Sequence, residues 1–262
     1  MFYSNEPINL DTFKAINARS AASTVSSKYD FIPTTQALAV LSDFGWYPTS
    51  AKESRTRTEA LEGYQTHAIR LQNNALTHDF KVGTTIPQLN LRNAHGGTSA
   101  FVLDLALLEL RCLNGLMVDL GSREQLRILH RNFDSTDFET TLRELTSNFA
   151  DVMGSVDRWR STMISERAQR AYADAAIELR WDGDEYAVSR DELLAPTRAS
   201  EQERSLWNTY NVVQEKLLKG GIEQQRVGQS KRRKSRPIAN IREDARLNKA
   251  LWKLTAALEE KL

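Results

Sequence analysis

Seven basic residues, Arg226, Lys231, Arg232, Arg233, Lys234, Arg236 and Arg242, fall between Gln224 and Arg242 with no Asp or Glu among them. Like charges held this close repel, so the segment calls for a polyanion or for acidic groups brought in from elsewhere in the chain. Arginine suits phosphate in particular, because its planar fork places two hydrogen bonds on one group and stays charged at any relevant pH. Four more arginines, Arg55 and Arg57 in SRTRTE, Arg70 in AIRLQN and Arg92 in LNLRNA, lie on or beside segments that read as strands. Alternate strand positions share a face, so Arg55 and Arg57 are expected to project together. A strand-bound basic floor with a mobile basic flap, residues 231–236, is the arrangement these residues predict. Trp46, Tyr47 and Tyr64 are near the SRTR arginines in sequence and offer rings on which bases could stack.

Other reactive types form weaker patterns. The histidines, His67, His78, His95 and His130, and the single Cys112 show no metal-ligand spacing such as HxxxH or CxxC. His95, in NAHGGTSA, stands beside Thr98 and Ser99 and has the composition of a general base next to a hydroxyl, but the same residues also make a polar turn. The Gly96-Gly97-Thr98-Ser99 run lacks the lysine and glycine spacing of a nucleotide-binding loop. Asp182, Asp184 and Glu185 in RWDGDEY read as a turn rather than a metal site. No enzyme constellation emerges, and neither a cofactor nor a metal is expected.

The elements that must hold these residues are legible in part. Pro33 followed by Thr34 and Thr35, then Leu38, Leu41 and Phe44, then Gly45, predicts a short amphipathic helix capped by one of the threonines. GYQTHAIRLQN and IPQLNLRNAHGGTSAFVLD alternate apolar and polar residues and predict antiparallel strands with a hairpin at Gly96-Gly97. LDLALLELRCL, residues 103–113, is continuously apolar and rich in helix formers, so a buried helix is expected there, with Cys112 inert inside it. A strand is expected at 125–130. Beyond Asp134 the period changes: Phe138, Leu142, Leu145, Phe149, Val152, Val156 and Trp159 recur at three and four residues, and 189–219 and 248–262 behave alike. Trp159, Trp207 and Trp252 fall on these stripes and belong to a core. Asn211, Gln214 and Glu215 share one helix face. The fold class expected is α+β: a small antiparallel sheet with a packed helix in the N-terminal half, 1–133, and a mainly helical C-terminal half, 134–262, in which 224–242 is a basic loop.

At 262 residues with 40% hydrophobic residues the chain has material for an ordinary core. Its net charge of +1 conceals an uneven layout, since removing the seven clustered cations leaves 28 Lys and Arg against 34 Asp and Glu. No apolar run reaches the roughly 18 residues of a spanning helix, and MFYSNEPINLDTF lacks the pattern of a secretory signal, so a cytoplasmic protein with no membrane partner is expected.

SRTR, HAIRL, NAHGGTSAFVLDLALLELRCLNGL, LWNTYNVVQEKLLKGG and SRPIANIREDARLNKALW, taken in order, resemble the phage- and plasmid-borne family catalogued as domain of unknown function 932. The likeness spans about 30–255 and falls on residues including Arg55, Arg57, His67, Arg70, Asn93, His95, Gly115, Gly220, Gly221, Arg236 and Trp252. Ala94 and Gly96 stand where the family's turn has Ser and Asp, which removes a carboxylate from beside His95. The resemblance implies a setting in mobile elements and no particular chemistry. The order of strands and helix is also similar, coarsely, to the annealing proteins RecT and Redβ. Together these readings predict a protein that binds single-stranded DNA and anneals or protects it, acting as a homo-oligomer. The alternatives are a counter-defence or regulatory protein docking its basic loop on a host protein, and a nucleic-acid-processing enzyme using His95, Thr98 and Ser99.

Overall fold

The structure, a computed structural model, describes residues 6–76, 81, 83–110, 114–118, 125–128, 135–181 and 185–262. Cys112, Arg111, His78, His130, Asp182 and Asp184, singled out by sequence, lie outside them. The chain divides into two compact units, 1–149 and 150–262.

The first unit is built on a six-stranded antiparallel sheet. Its strands are β1 (Trp46–Glu53), β2 (His67–Asn73), β3 (Thr85–Asn93), β4 (Phe101–Glu109), β5 (Asn114–Met117) and β6 (Gln125–Ile128). They run in the order β1-β2-β3-β4-β5, with β6 also paired to β4. The predicted β3–β4 pair forms, although residues 94–100 make its connection longer than a tight turn. Over 103–109 the helix expected across 103–113 is strand β4 instead, and 111–113 lie outside the described residues. Its helix-forming leucines are overridden because β4 is paired on both edges and buried along its whole length, which is the condition that produces a continuous apolar run in a strand.

Register explains the two faces of this sheet. Ile69, Leu71, Leu89, Leu91, Leu103, Leu105 and Leu107 point to one side and are fully buried. Helix α1 (Thr34–Asp43) packs against that side through Thr34, Ala37 and Leu41, and Phe138 of α2 (Ser135–Ser147) meets Phe101 edge-on at 5.8 Å. Burying one such leucine contributes about 2 kcal/mol. The opposite side carries Arg70, Gln72, Gln88, Asn90, Arg92 and Asp104, and it too is largely buried.

The second unit is helical around a small sheet. Helices α3 (Phe149–Ser161), α4 (Glu166–Arg180), α5 (Arg190–Leu194), α6 (Leu206–Lys219) and α7 (Ile241–Glu259) accompany strands β7 (Tyr186–Val188), β8 (Glu223–Arg226) and β9 (Arg232–Lys234). The single stripe expected over 138–159 is divided between α2 and α3. Trp159 lies 4.5 Å from Trp252 and 5.8 Å from Tyr210, which stacks on Trp207, so the helical tryptophans form the centre of this core. Asn211, Gln214 and Glu215 are buried rather than solvated: Gln214 donates to Asn248, Asn211 donates to the Trp207 carbonyl, and Glu215 accepts from Arg198 and Lys219.

Candidate nucleic-acid interface

The segment expected as a basic loop is a β-hairpin. Strands β8 and β9 pair in the register Glu223 to Lys234, Gln224 to Arg233 and Gln225 to Arg232, and β7 covers the inner edge of β8. Sequence reasoning missed it because QQR and RRK carry no apolar alternation. What specifies the hairpin is its base and its turn. Gly220 has φ +71°, and a Cβ there would fall 2.6 Å from the Ser235 carbonyl oxygen, so only glycine lets the returning strand cross so closely. Buried Ser235 closes that base by donating its N–H to the Ile222 carbonyl at 2.8 Å, while its Oγ accepts from Ile222 N–H. The Trp181 indole N–H donates to Gln224 at 2.6 Å, and the Arg180 guanidinium donates to the carbonyls of Leu217 and Arg236. At the tip Gly228 takes φ +79°, Gln229 N–H closes the turn on the Arg226 carbonyl, and Val227 N–H donates to the Glu185 carbonyl.

This frame holds Arg226, Lys231, Arg232, Arg233, Lys234 and Arg236 in solvent. Two have carboxylates nearby, Arg226 at 3.5 Å from Glu185 and Arg232 at 3.6 Å from Glu223. Both pairs are exposed, where such contacts are worth little. Lys231, Arg233, Lys234 and Arg236 have no ion-pair partner among the described residues. Strand alternation sends Arg232 and Lys234 to one face and Arg233 to the other.

The other predicted basic residues are in the first unit. Arg55 and Arg57 are exposed and lack ion-pair partners among the described residues, but they follow the end of β1, so strand geometry does not align them. Arg70 and Arg92 share the polar face of the sheet and are half-buried. The Arg70 guanidinium occupies the space over Gly115, where a Cβ would lie 1.0 Å from its Nη1. It is a packed side chain, unlike the solvated hairpin cations. Gln88 Oε1, buried on that face, has no hydrogen-bond partner among the described residues. The polar face was legible in the alternation Gln88, Asn90, Arg92. Trp46 is buried and stacks on Phe149, and Tyr47 donates to Asn74, so these rings serve the fold.

His95 is placed in a buried network rather than beside a nucleophile. Its Nε2 lies 3.1 Å from Thr34 Oγ1, whereas Thr98 bonds Thr66 and Ser99 donates to the Ala100 carbonyl. The proton order can be assigned from chemistry. His67 Nδ1 faces the Gln65 carbonyl at 3.1 Å and must donate to it. Burial holds the His67 pKa down to about 4, so the ring is neutral at pH 7 and its Nε2 accepts the Thr34 hydroxyl proton at 2.8 Å. Thr34 Oγ1 then accepts from Asn93 Nδ2 and from His95 Nε2–H. The network ties the start of α1 to β2 and β3. Among the described residues no group of three His, Cys, Asp or Glu is placed to hold a metal ion, and no helix is long and apolar enough to cross a membrane.

An α+β unit followed by a helical unit with an exposed cationic β-hairpin is the class these features define. The chain belongs to the family described as Domain of unknown function (DUF932), which matches residues 21–252. It is 30% identical to the UPF0380 protein YafZ of Escherichia coli strain K12 over 233 residues, covering 89% of this chain and 83% of that protein. It is 29% identical to the UPF0380 protein YfjQ of the same strain, with the same coverage. No solved structure matches it significantly.

Proposed function

We propose that this protein binds nucleic acid through the β8–β9 hairpin, with single-stranded DNA as the leading substrate and its annealing or protection in a mobile element as the role. The observation that carries the reading is the set of exposed cations, Lys231, Arg233, Lys234 and Arg236, that no carboxylate among the described residues balances. Six cations on a braced ribbon favour a polyanion over a small anion, because they are spread from Arg226 at the end of β8 through β9 to Arg236 beyond it instead of converging on one point. Tyr186, paired across the sheet with Arg226, places a ring beside the ribbon. The mobile-element setting rests on the family resemblance alone.

The test is fluorescence anisotropy with single-stranded DNA, duplex DNA and single-stranded RNA of equal length over a series of salt concentrations. Binding is expected to weaken steeply with salt as neutralised phosphates release counterions. Replacing Lys231, Arg232, Arg233 and Lys234 together by Ala is expected to lower both affinity and salt slope. Unchanged binding by that variant would remove the hairpin from the interface. A stoichiometric host protein that survives nuclease treatment would instead support protein docking.

A further inference from the structure

We infer that the hairpin tip is a wedge that unstacks bases where a single strand meets a duplex. This rests on the nucleic-acid reading above and adds to it the substrate class, a single-strand/duplex junction, and an action on it. Val227 at the tip is 59% exposed, an apolar side chain in solvent with Arg226 beside it and Lys231 to Lys234 on the returning strand. At that exposure the valine side chain contributes little to the core of the second unit. Cationic protein surfaces that deform nucleic acid use this combination: charges grip phosphates while an apolar side chain enters between base steps.

Three further features fit a wedge. The tip is braced, since Val227 N–H donates to the Glu185 carbonyl, Gln229 N–H to Arg226 and the Gln225 side chain to the Gln229 carbonyl at 2.6 Å. An inserted group has to resist being pushed back, and this turn is tied at both ends. Cations project from both faces of β9, which suits phosphates on two sides of the ribbon, as at a fork, better than one strand lying on a flat platform. The ribbon from Gln224 to Arg236 itself contains no aromatic residue, Tyr186 being on the neighbouring strand β7, so an apolar wedge is the contact with bases that its tip offers.

The test uses the full chain and a DNA fork with 2-aminopurine at the first paired position, read by fluorescence, with anisotropy recorded on the same samples. The wild type is expected to bind the fork and raise the 2-aminopurine signal as the base unstacks. Val227→Ala and Val227→Ser, at an exposed site where folding is not at stake, are expected to keep the binding and lose most of that rise. Variants that bind and unstack like the wild type would overturn the wedge, as would a wild type that binds the fork without any rise. Absence of binding to any nucleic acid at low salt would overturn the underlying reading as well, so the two failures are distinguishable.

Discussion

Thr34 or Thr35 was expected to cap a helix, and the Thr34 hydroxyl does other work: it donates a hydrogen bond to His67 and accepts from Asn93 and His95. The α1 cap position is Pro33, which makes no side-chain cap bond. The network has a pH consequence whose sign follows from His67. Its folded pKa of about 4 is below the ordinary 6.5, so on acidification the unfolded chain takes up the proton first. Stability from this group is complete above pH 6.5 and is lost as pH falls toward 4, by on the order of 3 kcal/mol. Denaturant titrations at pH 7 and pH 5 should show the loss in the wild type and a smaller one in His67→Gln; equal losses would assign it to other groups. Gly115 gives a second test at this scale. Gly115→Ala puts a methyl where the Arg70 guanidinium lies and is expected to cost about 1–3 kcal/mol. Combined with Arg70→Ala it should cost less than the sum of the two single changes, and strict additivity would show that the two positions do not share that space.

At the scale of elements, the sequence was readable where one period was unambiguous. The α1 stripe, the β3 alternation and the α6 and α7 apolar stripes were all visible, because in each the apolar residues keep mostly to one side and polar residues to the other, even where, as in β3 and α6, both sides are buried. Strand β4 was not, because apolar residues on both faces, with Asp104 the one polar residue before Glu109, erase the period that separates strand from helix, and only its neighbours decide. Helix α4 leaves a faint mark in the sequence although Ser165 caps it and Tyr172, Ala173, Ala176 and Ile177 line its inner face; alanines make a weak stripe. The basic hairpin was the opposite case. Its residues stood out at once as a candidate site, but their conformation depends on Gly220, Ser235 and Trp181, which signal nothing until the strands meet. Gly220→Ala is therefore expected to destabilise the hairpin base by about 2 kcal/mol or more, since it forces both a left-handed backbone and a 2.6 Å contact. Amide hydrogen exchange across 221–236 should rise in this variant, and unchanged protection would mean the crossing is not needed to hold the ribbon.

For the whole molecule, the site is a local excess of charge on a chain with a net of only +1. If Arg226, Lys231, Arg232, Arg233, Lys234 and Arg236 each neutralise one phosphate, the logarithmic salt slope on single-stranded DNA should be about −4. The quadruple alanine variant should flatten it to about −1 to −2. A wild-type slope well beyond −4 would indicate that cations outside the hairpin, Arg55 and Arg57 first among them, also contact the strand.

On the proposed function, the uneven layout would also govern how an encounter with nucleic acid begins. Outside residues 224–242 the chain carries more acidic than basic groups, so a polyanion repels that remainder while attracting the hairpin. Within a Debye length of about 10 Å these opposed forces make a torque that turns the ribbon toward the polyanion before any contact forms. Orientation, the step that slows most macromolecular association, is then partly settled by the field. Raising salt would lengthen the search for the right face as well as weaken the bond, so its effect on the association rate would appear separately from its effect on dissociation.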